Sequence, residues 1–170
     1  MYMQRMQIHT SRTKATQPRK TLRTDARAIV EACVGWNVRL AARRITQFLD
    51  HELAGTGLSL AQLGLMASIA SAADDTLGAL ARRTGLDQST LSRNLRTLEA
   101  EGLVEITMVE RDQRRRAVWL TEKGARRLVS ALPVWRRAHA RLASRVSPAR
   151  ARRLADESEA LIKAAQQNWE

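Results

Sequence analysis

A segment of the chain at residues 86–104, LDQSTLSRNLRTLEAEGLV, combines hydrogen-bonding side chains with leucines at helical spacing. Leu91, Leu95 and Leu98 fall within about 60° of one another on a helical wheel, so they define one apolar face. The opposite face carries short hydroxyl and amide side chains and arginines, which can reach base edges and phosphates in a nucleic-acid groove. The alternative interpretation is an ordinary helix face exposed to solvent. The candidate residues for DNA contact are Gln88, Ser89, Thr90, Ser92, Arg93 and Arg96.

Individual residues of this segment suit different parts of a nucleic acid. Arg93 can pair with a guanine through two hydrogen bonds. Ser89 and Thr90 stand at the predicted helix N-terminus, where hydroxyl and backbone N–H groups suit a phosphate. Asp87, just before them, is predicted to cap the helix.

A second cluster of charge follows in RDQRRR, residues 111–116. It lies between LVEITMVE and AVWLT, whose alternating apolar and polar residues predict two short strands. The cluster is therefore predicted to be the charged turn of a hairpin. A turn with this many arginines is favoured when an anionic partner compensates their charge. Its candidate residues are Arg111, Asp112, Arg114, Arg115 and Arg116.

The residues before the first segment predict the element that positions it. LGALARRTG, residues 77–85, predicts a short helix that Gly85 ends, with Asp74, Asp75 and Thr76 as N-cap candidates. Two helices joined by a tight link predict a helix-turn-helix, whose second helix enters the major groove. The hairpin that follows then corresponds to a wing.

Long amphipathic helices are predicted on both sides of this module. Apolar residues recur at three- and four-residue steps along residues 28–53. Ser59 and Gln62 have capping-box spacing for the next helix. Two further helices follow Thr121 and Ser147, and Pro133 is expected to bend the first of them or loosen one turn. No other domain covers their apolar stripes, so we expect them to pack against a second copy of the chain.

The predicted fold class is therefore mainly α: a winged helix-turn-helix module with a two-stranded wing, flanked by long helices that form a dimerisation domain. The predicted organisation is a basic flexible N-terminal arm at residues 1–27, a first dimerisation helix at 28–58, the winged helix-turn-helix DNA-binding module at 59–121, and C-terminal dimerisation helices at 122–170.

Composition supports a polyanionic partner and argues against several other classes. Lys and Arg number 29 against 17 for Asp and Glu, which gives a net charge of +12 and favours nucleic acid or an anionic membrane surface. No stretch approaches ~18 uninterrupted apolar residues, so no membrane span is predicted. The basic, hydroxyl-rich first residues also fit a mitochondrial transit peptide, but a mobile basic arm in a cytoplasmic protein is the preferred interpretation.

Catalytic and metal-binding patterns are missing from the sequence. One cysteine and three widely separated histidines leave too few ligands for a zinc site, and no cofactor is predicted. The sequence also has no Ser-His-Asp spacing and no glycine-rich phosphate loop. We therefore predict that the chain is not an enzyme.

The chain resembles the multiple antibiotic resistance regulator (MarR) family of winged-helix repressors across roughly residues 30–168. The resemblance rests on CVGWNVRLAARRITQFLD, on TLGALARRTGLDQSTLSRNLRTLEAEGLV and on RDQRRRAVWLTEKG. It implies a homodimer that places two recognition helices in successive major grooves of a pseudo-palindromic site. It further implies that Arg93 reads a base, that Arg114 enters the minor groove, and that Asp112 orients Arg114 by an ion pair.

The same resemblance implies an effector pocket and raises the question of redox sensing. A small aromatic or phenolic effector would meet Trp36, Arg39, Leu40, Arg43, Phe48, Met66 and Trp135, although such a stripe more often belongs to a core or dimer interface. Cys33 lies near the position of the reactive cysteine in peroxide-sensing relatives. The only tyrosine, Tyr2, is in the tail, and a lone cysteine is more often a small buried hydrophobe.

Two functions from different classes follow from these patterns. The first is a dimeric, ligand-responsive transcriptional regulator, predicted to be a repressor that binds double-stranded DNA. The second is a winged helix used to bind an acidic protein partner. The arginine-rich wing and the small outward side chains of residues 88–96 favour the first.

Overall fold

The computed structural model describes residues 20–72, 76–109 and 112–167. Its described elements are α1 (Lys20–Ala32), α2 (Val34–Leu53), a short 3-10 helix (Ala54–Thr56), α3 (Leu60–Ala70), α4 (Leu77–Thr84), α5 (Gln88–Ala100), β1 (Val104–Val109), β2 (Asp112–Leu120), α6 (Glu122–Ala143) and α7 (Pro148–Gln167). The chain divides into two compact units, the first ending at Arg43 and the second beginning at Arg44.

The N-terminal helix begins before the boundary predicted between residues 27 and 28. α1 starts at Lys20, so residues 20–27, predicted as part of the flexible arm, are helical, while residues 1–19 lie outside the described ranges. Its sequence contains no glycine or proline, and Arg27 pairs with Glu31 one turn later at 2.7 Å. Both features favour helix over an extended arm.

The single helix predicted across residues 28–53 is wrong, because it is interrupted at Cys33. The Cys33 N–H still donates to the Ile29 carbonyl at 2.9 Å, and the Cys33 carbonyl accepts from the Asn37 N–H at 3.0 Å. The Asn37 side-chain amide donates to the Glu31 carbonyl at 3.0 Å. A side chain therefore bonds a carbonyl of the last turn of α1, and Gly35 lies in the same turn, where glycine favours a change in helix direction.

The core of the second unit joins the helix-turn-helix to the sheet. Among the described residues, the largest fully buried side chains are Leu53, Met66, Leu80, Leu98, Leu103 and Val118, which come from α2, α3, α4, α5, β2 and the α5–β1 junction. The predicted capping box is confirmed, since the Ser59 hydroxyl accepts from the Gln62 N–H and the Gln62 side chain accepts from the Ser59 N–H. These contacts hold α3 at the centre of the module.

The wing is a two-stranded antiparallel sheet of β1 and β2, as predicted, but its second strand is longer than expected. Residues 112–116, predicted as part of a charged turn, belong to β2, with Asp112 paired to Val109 and Arg116 paired to Met108. The register shifts between Met108 and Val109. The extra residues on β2 are Gln113, Arg114 and Arg115, which have no partner in this register, so of these arginines only Arg116 is part of the regular ladder.

The junction between the wing and α6 is closely packed. The Thr121 hydroxyl caps α6 by accepting from the Gly124 N–H at 3.0 Å, and it donates to the Gly102 carbonyl at 2.7 Å. A Cβ placed on Gly124 would lie 1.9 Å from the Leu103 carbonyl oxygen. Only glycine lets the first turn of α6 approach the α5–β1 junction so closely.

The last two helices follow the predicted starts. α6 runs without interruption through Pro133, and the Ser147 hydroxyl accepts from the Arg150 N–H at the start of α7. Every side chain of α7 from Pro148 to Leu161 is exposed. Among the described residues no single helix has the length and apolar composition to cross a membrane, although α2 with the 3-10 helix and α3 meet those criteria as one bent pair.

Candidate DNA-binding surface

The outward face of α5 is exposed as the helical wheel predicts. Leu91, Leu95 and Leu98 are buried in the core of the second unit, which fixes the rotation of α5 about its axis. The exposed side chains on the rest of the helix include Gln88, Ser89, Ser92, Arg93 and Arg96. Neither Arg93 nor Arg96 forms an ion pair with a described residue, so both guanidinium groups remain available to an anionic partner.

The N-terminus of α5 is already occupied by a carboxylate of its own chain. Asp87 Oδ1 accepts from the Thr90 N–H at 2.9 Å and from the Ser89 hydroxyl at 2.6 Å. Asp87 Oδ2 accepts from the Thr90 hydroxyl at 2.8 Å. Hydrogen bonds to the carboxylate hold the pKa of Asp87 far below its ordinary value. The Ser89 hydroxyl contributes most, and the N–H and the hydroxyl of Thr90 contribute next. The predicted cap is therefore present and ionised.

This arrangement alters the role predicted for Ser89 and Thr90. A hydroxyl binds a phosphate by donating its proton, and both protons are engaged by Asp87. A carboxylate at the same helix end also repels a phosphate. The prediction that these hydroxyls bind a phosphate does not agree with this geometry.

A cationic cleft separates α5 from the wing. One part of it, about 530 Å³, is lined by Leu77, Ser92, Leu95, Arg96, Glu99, Ile106, Thr107 and Arg116. A second part, about 620 Å³, is lined by Thr76, Leu77, Gly78, Arg82, Gln88, Ser92 and Arg116. Arginines from α4, α5 and β2 thus line one cleft, and among its described lining residues Glu99 supplies the single carboxylate.

Arg82 is a cleft residue that the sequence interpretation did not single out. It comes from α4, one element before the recognition segment, whereas the predicted contacts lay on α5 and the hairpin. The paired arginines in LGALARRTG were the available signal. Which of them faces the cleft depends on how α4 packs against the core.

The predicted wing residues are only partly described. Arg116 is exposed and lines the cleft. Asp112, Arg114 and Arg115 lie on β2, but their side chains fall outside what the structure describes, as does the predicted ion pair between Asp112 and Arg114. Arg111 lies outside the described residues altogether.

The residues predicted to line an effector pocket belong to both units, and each set is described within its own unit. Trp36, Arg39, Leu40 and Arg43 line one cleft of about 140 Å³ in the first unit. Met66 belongs to the second unit and is completely buried in its core. In that unit the Trp135 ring lies 5.0 Å from the ring of His139, and the Arg141 guanidinium lies 5.6 Å from the centre of the Phe48 ring.

Two further predictions concern thiol and metal chemistry. Cys33 is exposed within the described part of the chain, which disagrees with its interpretation as a small buried hydrophobe. Among the described residues, no group of three or more His, Cys, Asp or Glu side chains is arranged to hold a metal ion.

A helix-turn-helix of α4 and α5, a two-stranded wing and a cationic cleft between them define a winged-helix DNA-binding protein. Comparison with known proteins agrees with this class. The MarR family sequence model matches residues 56–115. None of the curated proteins compared with the chain matches it significantly.

Solved structures extend the similarity to most of the chain. The transcriptional regulator MosR of M. tuberculosis, solved in complex with DNA, is 32% identical, with a TM-score of 0.71, and covers 78% of this chain and 98% of its own. The S. aureus MepR–DNA complex is 18% identical, with a TM-score of 0.63, over 77% of this chain and 97% of its own. A MarR-family regulator of Rhodococcus sp. RHA1 is 21% identical, with a TM-score of 0.61, and the match covers 75% of this chain and 91% of the Rhodococcus chain. The chain belongs to the MarR family of DNA-binding transcriptional regulators.

Proposed function

We propose that this chain is a cytoplasmic repressor that binds a pseudo-palindromic operator as a homodimer. Each α5 lies in a major groove, and each wing lies in the adjacent minor groove. The observation that carries this proposal is the exposed polar face of α5, on which Arg93 is exposed and Arg96 lines the cationic cleft. In a winged helix the DNA backbone between the two grooves passes between recognition helix and wing, where Arg82, Arg96 and Arg116 can contact phosphates.

The homodimer is supported by helix surface that its own unit does not cover. None of the α7 side chains from Pro148 to Leu161 is buried, and these include two leucines, Leu154 and Leu161, which are 41% and 72% exposed. In the first unit, Ile29 and Val34 are 67% and 69% exposed. Apolar surface of this extent on long helices is stable in water when a second copy covers it.

The test of operator binding begins with selection of genomic fragments on the purified chain, followed by footprinting. We expect two protected half-sites whose centres are separated by about 10–10.5 base pairs or a multiple of that spacing. Arg93→Gln combined with Arg96→Gln should abolish the footprint, whereas Arg136→Gln, which changes an exposed arginine on α6, should preserve it. A footprint that survives the double substitution in folded protein contradicts the proposal.

We further propose that a small aromatic or phenolic acid releases the repressor from DNA. The Trp36 indole can stack on an aromatic ring, while Arg39 and Arg43 in the same cleft can pair with a carboxylate. The cleft is smaller than the ~300 Å³ of a typical ligand pocket, so the partner copy is expected to supply further walls. The probe is 4-hydroxybenzoate, which should release the wild-type protein from its operator. This release should be lost in the double variant that combines Arg39→Gln and Arg43→Gln, and it should be retained in Arg44→Gln. Release that survives the double substitution contradicts this site.

A further inference from the structure

The hydroxyl groups at the start of α5 have a fixed hydrogen-bonding direction. Ser89 Oγ lies 2.6 Å from Asp87 Oδ1, and Thr90 Oγ1 lies 2.8 Å from Asp87 Oδ2. Asp87 is an ionised acceptor, so each hydroxyl donates its only proton towards the carboxylate. What each hydroxyl retains for any other partner is its lone pairs.

We propose that Asp87 is a specificity-determining residue that makes the Ser89 and Thr90 hydroxyls read base amino groups in the major groove. This inference rests on the proposed placement of α5 in that groove. The major-groove edges that donate a hydrogen bond are the N6 amino group of adenine and the N4 amino group of cytosine. Guanine O6 and thymine O4 accept, and two acceptors facing each other repel. Asp87 therefore selects for adenine or cytosine at the position that a hydroxyl faces, without touching the DNA.

The strength of the contacts with Asp87 keeps the hydroxyls in this state. A hydroxyl–carboxylate distance of 2.6 Å is in the range of charge-assisted hydrogen bonds, which are about twice as strong as neutral ones. Turning the Ser89 proton outwards would remove one such bond from the carboxylate. Ser89 is exposed and Thr90 is half-buried, so Ser89 is the more accessible of the two to a base.

The experiment removes single amino groups from the DNA. In the selected operator, each adenine of a half-site is replaced in turn by purine, which lacks N6, and each cytosine by 2-pyrimidinone, which lacks N4. We expect at least one position per half-site where wild-type affinity falls by about 2- to 10-fold, the range of a single neutral hydrogen bond. Ser89→Ala, which leaves the cap intact, should bind the natural and amino-deleted operators equally at the position that Ser89 reads.

Asp87→Ser separates the effect on specificity from the effect on the helix. Serine is also a good N-cap, so α5 keeps its start, but no carboxylate then holds the Ser89 proton. The hydroxyl can then donate or accept. We expect the ratio of the affinities for operators with an amino-bearing and a keto-bearing base at that position to approach 1. Thermal unfolding by circular dichroism verifies that each variant is folded.

Two results distinguish the failure of this inference from the failure of the proposed function. If all amino-deleted operators bind wild type as the natural operator does, while Arg93→Ala still lowers the specificity ratio, α5 reads DNA but Asp87 does not set its preference. If neither the base analogues nor Arg93→Ala changes that ratio, α5 is not the reading helix and both proposals fail.

Discussion

Arg93 and Arg116 carry the same charge but are placed for different contacts. Arg93 is exposed on α5, where a recognition helix meets base edges, whereas Arg116 is on β2 and lines the cleft that we assign to the DNA backbone. A base contact discriminates between sequences, and a phosphate contact does not. The two residues should therefore be separable by specificity and by salt dependence.

Arg93→Ala is expected to cost about 1–3 kcal/mol on the best operator and to relax preference at one position per half-site. Arg116→Ala should weaken operator and scrambled DNA alike and reduce the salt slope by roughly one counterion per lost contact in each subunit. Titrations of both duplexes at several salt concentrations measure these effects, with Arg136→Ala as the matched control. An unchanged specificity ratio in Arg93→Ala would mean that this arginine is not the base reader.

The exposure of Cys33 bears on whether this thiol senses oxidants. Cys33 lies between α1 and α2 and is exposed in its own unit. Since we retain the prediction that this thiol is not a sensor, Cys33→Ser should bind operator like wild type before and after organic hydroperoxide. Mobility-shift assays provide the measurement. Release of wild type by peroxide that disappears in Cys33→Ser would establish the opposite.

Among the elements, the junction of α5, the wing and α6 holds the DNA-binding parts together. Thr121 and Lys123, at the start of α6, donate to the carbonyls of Gly102 and Glu101 at the end of α5. Gly124 lies against the Leu103 backbone. The residues LTEKG thus tie the base of the wing to the recognition helix.

Gly124→Ala is expected to destabilise the module by about 1–3 kcal/mol, because the new methyl group would overlap the Leu103 carbonyl and force the backbone to move. Gly64→Ala is the matched control: this helical glycine has open space around its Cβ position, so alanine should stabilise α3 by about 0.5–1 kcal/mol. Urea denaturation of the two variants tests the contrast. Equal stability would show that the junction adjusts without cost.

At the scale of the whole molecule, the exposed apolar helices determine the expected assembly. Leu161→Glu with Leu154→Glu should yield monomers or unfolded chains, because charge replaces apolar surface that a second copy is expected to cover. Sedimentation velocity at micromolar concentration distinguishes these states. Arg153→Glu, an exposed change on the same helix, is the control for charge alone. A wild-type chain that sediments as a folded monomer contradicts the homodimer.

The sequence by itself determined the elements whose signals are local. Leucine spacing predicted the buried face of α5, and the caps at Ser59, Thr76, Asp87 and Thr121 were readable because each acts within one turn of its own helix. The motifs also identified the winged-helix family, whose model matches residues 56–115.

Tertiary structure alone decided how these elements share residues in space. The cleft that joins Arg82 to Arg96 and Arg116 depends on the packing of α4, α5 and β2, and no sequence spacing encodes that packing. Three other features also depend on contacts or hydrogen bonds that the local sequence pattern does not reveal. They are the burial of Met66, the extension of β2 through residues 112–116 and the interruption of the helix at Cys33. The sequence also could not predict that the Ser89 and Thr90 hydroxyls donate to Asp87. Residue types specify which groups can donate or accept a hydrogen bond, but only the three-dimensional structure determines which donor meets which acceptor.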